Sequence, residues 1–143
     1  MLQYHETRHQ NRTSPDYRMS KAELAERQQI SRRKIMEELQ LLSSVEEQLE
    51  YQRNVPHVNI TGELICGWFD DSYWPEDKLF VSGFSEEELK AMSEFSEVFE
   101  SVLAPIRDKE LPQITDLVQT PEWVRLTQAA HKALSVFRHD AGK

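Results

Sequence analysis

The run His5-Glu6-Thr7-Arg8-His9 has the residue types and spacing of a reaction centre. On a helix, two histidines four apart share a face and can hold zinc, while the glutamate takes a proton from the bound water. A catalytic zinc also requires a third protein ligand and a dry, shaped cleft. Only four residues precede this motif, and nothing apolar follows it for a full turn. No upstream sheet covers it. The pattern reads as a coincidence, and the expectation is a protein with no metal, no cofactor and no catalytic residues.

A second cluster, Trp68-Phe69-Asp70-Asp71-Ser72-Tyr73-Trp74-Pro75-Glu76-Asp77, places four aromatics and four carboxylates within ten residues. It lacks the alternate-position ligands and central glycine of a calcium loop. Acid–base chemistry would need one carboxyl in an apolar setting, and adjacent Asp70 and Asp71 give no sign of one. The composition suits a binding surface instead. Rings bury area at low entropic cost, and carboxylates steer a partner rich in Arg or Lys. The expected contact residues are Asp70, Asp71, Tyr73, Trp74, Glu76 and Asp77. Trp68 shares a helical face with Leu64 and belongs in the core. The competing reading is structural, with rings filling the core and acids facing water.

Residues 24–39, Leu24-Ala25-Glu26-Arg27-Gln28-Gln29-Ile30-Ser31-Arg32-Arg33-Lys34-Ile35-Met36-Glu37-Glu38-Leu39, resemble the helix-turn-helix of bacterial repressors. Ala25, Ile30, Ser31, Ile35 and Leu39 fall in register. The resemblance implies that Ser31 caps a recognition helix, with Arg32, Arg33 and Lys34 at phosphates or base edges. It covers sixteen residues. Gln29 stands where the motif has its turn glycine, Gln28 where it is usually apolar, and residues 1–19 supply no supporting helix. An uninterrupted helix with a charged face is the stronger expectation, which makes nucleic acid the less favoured partner.

Cys66, between Ile65 and Gly67 with no local cation, reads as an inert thiol. His57 and His131 are isolated.

The elements that must position these residues are mostly helical. Ser20-Lys21-Ala22-Glu23 and Ser85-Glu86-Glu87-Glu88 are capping boxes, and Thr120-Pro121 is a further start signal. Leu24, Ile35, Leu39, Leu42 and Leu49 recur at helical spacing with no Gly or Pro before Pro56. This predicts one continuous helix over residues 20–53, a one-sided arm open to self-association as a coiled coil. Residues 54–84 hold three of the four glycines and two of the three tryptophans. There, 58–60 and 79–81 could be short strands, or 62–73 a helix capped by Thr61. Leu89, Met92, Phe95, Phe99, Val102, Leu103 and Ile106 form one apolar face. Trp123, Leu126, Ala130, Leu134 and Phe137 form another, which predicts an antiparallel pair.

The charge is uneven. Of 143 residues, 17 are Lys or Arg and 25 Asp or Glu, a net charge of -8. Residues 1–53 carry nine of each sign, so the whole excess lies in 54–143. An acidic body argues against phosphate-backbone binding and favours a basic partner. One cysteine excludes an internal disulfide, the N-terminus has no apolar signal region, and no run is long enough to span a bilayer. A cytoplasmic location with no membrane contact is therefore expected.

The fold expected is all-α or nearly so: a long N-terminal helix, an irregular aromatic-rich middle with room for a small hairpin, and a C-terminal helical pair. By organisation it is a flexible polar tail (1–19), a helical arm (20–53) and an acidic, mainly helical domain (54–143). The expected function is a non-enzymatic binding module or regulator, of inhibitor or adaptor type, for a protein partner with a basic surface. The alternative is a DNA-binding transcriptional regulator using residues 24–39.

Overall fold

Helix α1 (Lys21–Leu42) begins where its capping box places it. The Ser20 hydroxyl accepts from the Glu23 N–H at 3.1 Å, and the Glu23 carboxylate accepts from the Ser20 N–H at 3.3 Å. Two orphan donors of the first turn are thereby satisfied. The computed structural model describes residues 19–141, the side chains of 140 and 141 excepted. The His5–His9 motif lies outside the described residues.

The expectation of a single helix over 20–53 is corrected at Ser43–Ser44. The chain there turns extended, with Ser44 at φ −125° and ψ 102°, and α2 (Val45–Asn54) starts afresh. The Ser44 hydroxyl accepts from the Glu47 N–H at 3.1 Å. A serine that caps in this way competes with helix continuation, because it offers the backbone a local alternative partner. The broken end is then satisfied from the side: Gln48 donates to the carbonyls of Leu41 and Leu42 at 2.9 and 3.2 Å.

The middle is helical rather than stranded. Helix α3 (Ile60–Cys66) is capped by Asn59, whose side chain accepts from the Thr61 N–H at 3.1 Å. Thr61 is thus inside the first turn and not the cap, its hydroxyl donating to the Pro112 carbonyl at 2.9 Å. Helix α3 runs directly into a π-helical turn, Gly67–Ser72. Residues 79–81 lie in a single turn, α4 (Lys78–Val81), so no hairpin forms among the described residues.

The C-terminal part follows the sequence. Helix α5 (Glu86–Leu103) carries the Ser85–Glu88 capping box, and α6 (Ile114–Leu117) is a short link. Helix α7 (Pro121–Ala141) is capped by Thr120, which accepts from the Trp123 N–H at 3.2 Å. Phe99, late in α5, meets Trp123, early in α7, at 6.3 Å between ring centroids. Phe84, just before α5, meets Phe137, late in α7, at 5.9 Å. Contacts at opposite ends make the two helices antiparallel.

Helix α7 packs against both α5 and α1. Ile35, Leu39 and Leu42 of α1 join Met92, Phe95, Phe99 and Leu103 of α5, and Trp123, Leu126, Ala130, Leu134 and Phe137 of α7, in one core. Truncating any of these aromatics to Ala should cost about 3–5 kcal/mol. The apolar stripe of α1 is therefore occupied within its own chain. Ile30, 41% exposed, is the large apolar residue that α1 leaves outward.

Candidate functional site

The π-helical turn is the local feature that presents Asp70 and Asp71. Its wider ring is closed by the Tyr73 N–H donating to the Trp68 carbonyl, five residues back, at 2.9 Å. Such single π turns inside α-helices are rare and recur at functional sites. Here the turn is anchored on one side by Trp68, fully buried, whose indole N–H donates to the Ser96 hydroxyl of α5 at 2.7 Å. Tyr73 stacks on Trp68 at 5.0 Å, and Phe69 leans on Phe99 at 5.0 Å.

On the other side the turn meets a carboxyl group that the sequence reading did not single out. Glu38 of α1 lies against Gly67. A Cβ built on Gly67 would stand 2.7 Å from Glu38 Oε1 and 2.9 Å from Oε2, closer than real Cβ atoms come. Glu38 Oε2 is buried and has no hydrogen-bond partner among the described residues. Burial first, then the charges of Asp71 and Glu37, push this carboxyl from its ordinary 4.5 up to about 7. Each cause disfavours the charged form, one by removing water and two by like-charge repulsion.

The neighbours extend the acidic field. Cys66 is exposed, and its thiol is pushed up by partial loss of water around it, by a hydrogen bond to Asp70, and by the charges of Asp70, Glu63 and Asp71. A thiol held protonated is a poor nucleophile. The Tyr51 phenol of α2 is likewise pushed up, by burial and then by Glu63 and Glu38. Glu38, Tyr51, Glu63, Cys66, Asp70 and Asp71 thus form one face, built from α1, α2, α3 and the turn.

The residues expected to bind a partner separate into groups. Asp70, Asp71 and Glu76 are exposed, and Tyr73 and Trp74 are half-buried. The Trp74 indole reaches the Asp71 carbonyl at 3.4 Å. Asp77 caps α4, accepting from the Leu79 and Phe80 N–H groups at 2.9 and 3.4 Å. Its carboxylate is a structural cap.

Residues 24–39 show no turn. Helix α1 runs unbroken through Gln28–Ile30, and Ser31 sits inside it rather than capping a second helix. Arg32 is turned inward: it forms a two-pronged pair with Glu88 at 2.7 and 2.9 Å and donates to the Gly83 carbonyl at 3.0 Å. Its guanidinium lies over the Phe84 and Phe137 rings at 5.5 and 5.8 Å. Arg33 and Lys34 remain exposed on α1. The helix-turn-helix geometry that would aim these groups at DNA is not formed.

Among the described residues no group of three His, Cys, Asp or Glu side chains is arranged to hold a metal ion. No helix among them is long and apolar enough to cross a membrane. No protein-family model matches this chain, nor does any curated protein or solved structure.

The sequence did hold a signal for Glu38. It lies three residues after Ile35 and four before Leu42, so it occupies the buried stripe of α1. The contact with Gly67 has a measurable consequence. Gly67 has α-helical dihedrals, φ −56° and ψ −41°, where Ala is favoured over Gly by roughly 0.5–1 kcal/mol. With Glu38 in place, Gly67→Ala is expected to stabilise the protein by less than this, because the carboxyl, at the end of a flexible side chain, must swing aside. In a Glu38→Ala background the same change should give the full gain. A double-mutant cycle in urea is expected to show coupling of about 0.5 kcal/mol, and additive effects would disprove the contact.

Proposed function

We propose that this protein is a non-enzymatic binding module that engages a protein partner with a basic surface through the face around the π-helical turn. The observation that carries the reading is the juxtaposition of exposed Asp70 and Asp71 with Glu63 and Glu38, beside half-buried Tyr73 and Trp74. Carboxylates clustered this closely repel one another, and a cationic side chain docked among them relieves that repulsion. The two half-buried rings offer apolar area at the edge of the same patch, which suits anchors of a small interface. An inhibitor or adaptor role in the cytoplasm is consistent with the acidic charge.

The test is a titration of the labelled protein with an arginine-rich peptide, followed by amide chemical shifts. Shifts should concentrate in residues 63–77. Asp70→Asn together with Asp71→Asn should slow association by about tenfold and flatten its salt dependence, since these charges act on encounter more than on residence. Trp74→Ala should act on dissociation instead, by about tenfold or more. Shifts confined to other faces, or an unchanged salt dependence in the double variant, would refute the reading.

A further inference from the structure

Glu38 combines three features that the binding reading does not use. One carboxyl oxygen is buried without a partner, the group fills the space that a side chain on Gly67 would need, and the segment it touches is the π-helical turn. Every charge recorded as acting on it is negative: Glu37 from its own helix and Asp71 from the turn. From α2 it faces the Tyr51 phenol, itself under the influence of Glu63. Arg138 of α7 bonds Gln40 at 2.9 Å, but Gln40 is two residues on and so points away from Glu38. Lys34, four residues back on the same face of α1, is exposed and is not among the charges that act on Glu38.

We propose that Glu38 is a proton-operated latch on the π-helical turn. As a neutral carboxyl it lies against Gly67 and holds Gly67–Ser72 in place. As a carboxylate it draws water, repels Asp71 and leaves that contact, which loosens the segment that presents Asp70 and Asp71. Because the folded state raises this group from 4.5 to about 7, the closed turn binds a proton that the open turn releases. The contribution is therefore intact below about 4.5 and lost as pH rises to and through about 7.

The experiment needs no partner, so its outcome is independent of the peptide titration. Carboxyl carbon shifts of the wild-type protein give the Glu38 midpoint, and amide hydrogen exchange gives the opening of residues 67–73. The expected midpoint is near 7. After correction for intrinsic exchange, protection of 67–73 should fall about fiftyfold between roughly pH 5 and roughly pH 7.5. Glu38→Gln, the isostere of the protonated form, should hold protection constant over that range, and Glu37→Gln, which removes the weaker like charge, should keep a fall of the same sign with a slightly lower midpoint. A Glu38 midpoint below about 5, or a Glu38→Gln variant with the wild-type pH dependence, would overturn the latch. The carboxyl titration decides the matter on the wild-type chain even if a variant folds poorly.

Discussion

Arg32→Ala is expected to lower the unfolding free energy by about 3 kcal/mol, read as a drop in the denaturation midpoint in urea or a fall of about 10 °C in Tm. The size follows from what remains behind. Glu88 is only 2% exposed, so without Arg32 its carboxylate is buried with the counter-charge of that pair gone. Its capping hydrogen bond from the Ser85 N–H, at 2.9 Å, survives but cannot neutralise it. Arg32→Lys keeps the charge and loses the planar fork that matches both carboxylate oxygens, so it should recover less than half of the loss. Arg32→Leu combined with Glu88→Gln should cost less than the two single changes added, since each single change leaves a bare charge and the double variant leaves none. A loss below about 1 kcal/mol for Arg32→Ala would place the pair among surface salt bridges and disprove its structural role.

Gln48→Leu is expected to cost about 3 kcal/mol although it replaces a polar side chain by an apolar one in a fully buried position. Gln48 accepts from the Trp123 indole N–H at 2.8 Å and donates to the carbonyls of Leu41 and Leu42 at 2.9 and 3.2 Å. One amide thus closes the C-terminal end of α1 and ties the α1–α2 corner to the start of α7. Leucine packs the space but leaves the indole N–H and the Leu42 carbonyl without this partner, each a loss of roughly 1–3 kcal/mol before relaxation, while the Leu41 carbonyl keeps its hydrogen bond from the Ser44 N–H at 3.2 Å. Gln48→Glu should be at least as damaging, because a carboxylate accepts from the indole but cannot donate to the two carbonyls. Urea unfolding with an unchanged slope is the check, and a Leu variant as stable as wild type would show that water or backbone movement satisfies these groups.

Both effects concern residues that sequence reading treated differently. Arg32 stood among the residues implied to contact DNA, on local register alone. Its partner Glu88 is 56 positions away, and no local pattern shows that the two meet. Gln48 belongs to no motif, and its partner Trp123 is 75 positions away. A polar side chain on a helix can face water or satisfy a buried group, and only the packing of a distant element decides which.

The break at Ser43–Ser44 differs, because it was legible and hidden at once. Ser44-Val45-Glu46-Glu47 has the same pattern as the boxes at Ser20 and Ser85. The apolar stripe masks it, since Leu39, Leu42 and Leu49 continue at helical spacing across the turn. A stripe reports which residues seek the core, and two helices meeting at a corner around that core satisfy it as well as one straight helix.

What the sequence determined by itself is what closes within one turn of chain: the starts at Ser20, Ser85 and Thr120, the apolar faces of α5 and α7, and an all-α architecture among the described residues. Hydroxyl caps bond backbone three residues away, and face periodicity is a property of the helix alone, so neither needs a tertiary partner. The tertiary structure alone decided that Arg32 turns inward. It also decided that Glu38 meets Gly67 beneath a π-helical turn. Each of these depends on helices distant in sequence arriving at one place, where a side chain's water is removed and its charge is either paired, as for Arg32, or left facing other carboxylates, as for Glu38.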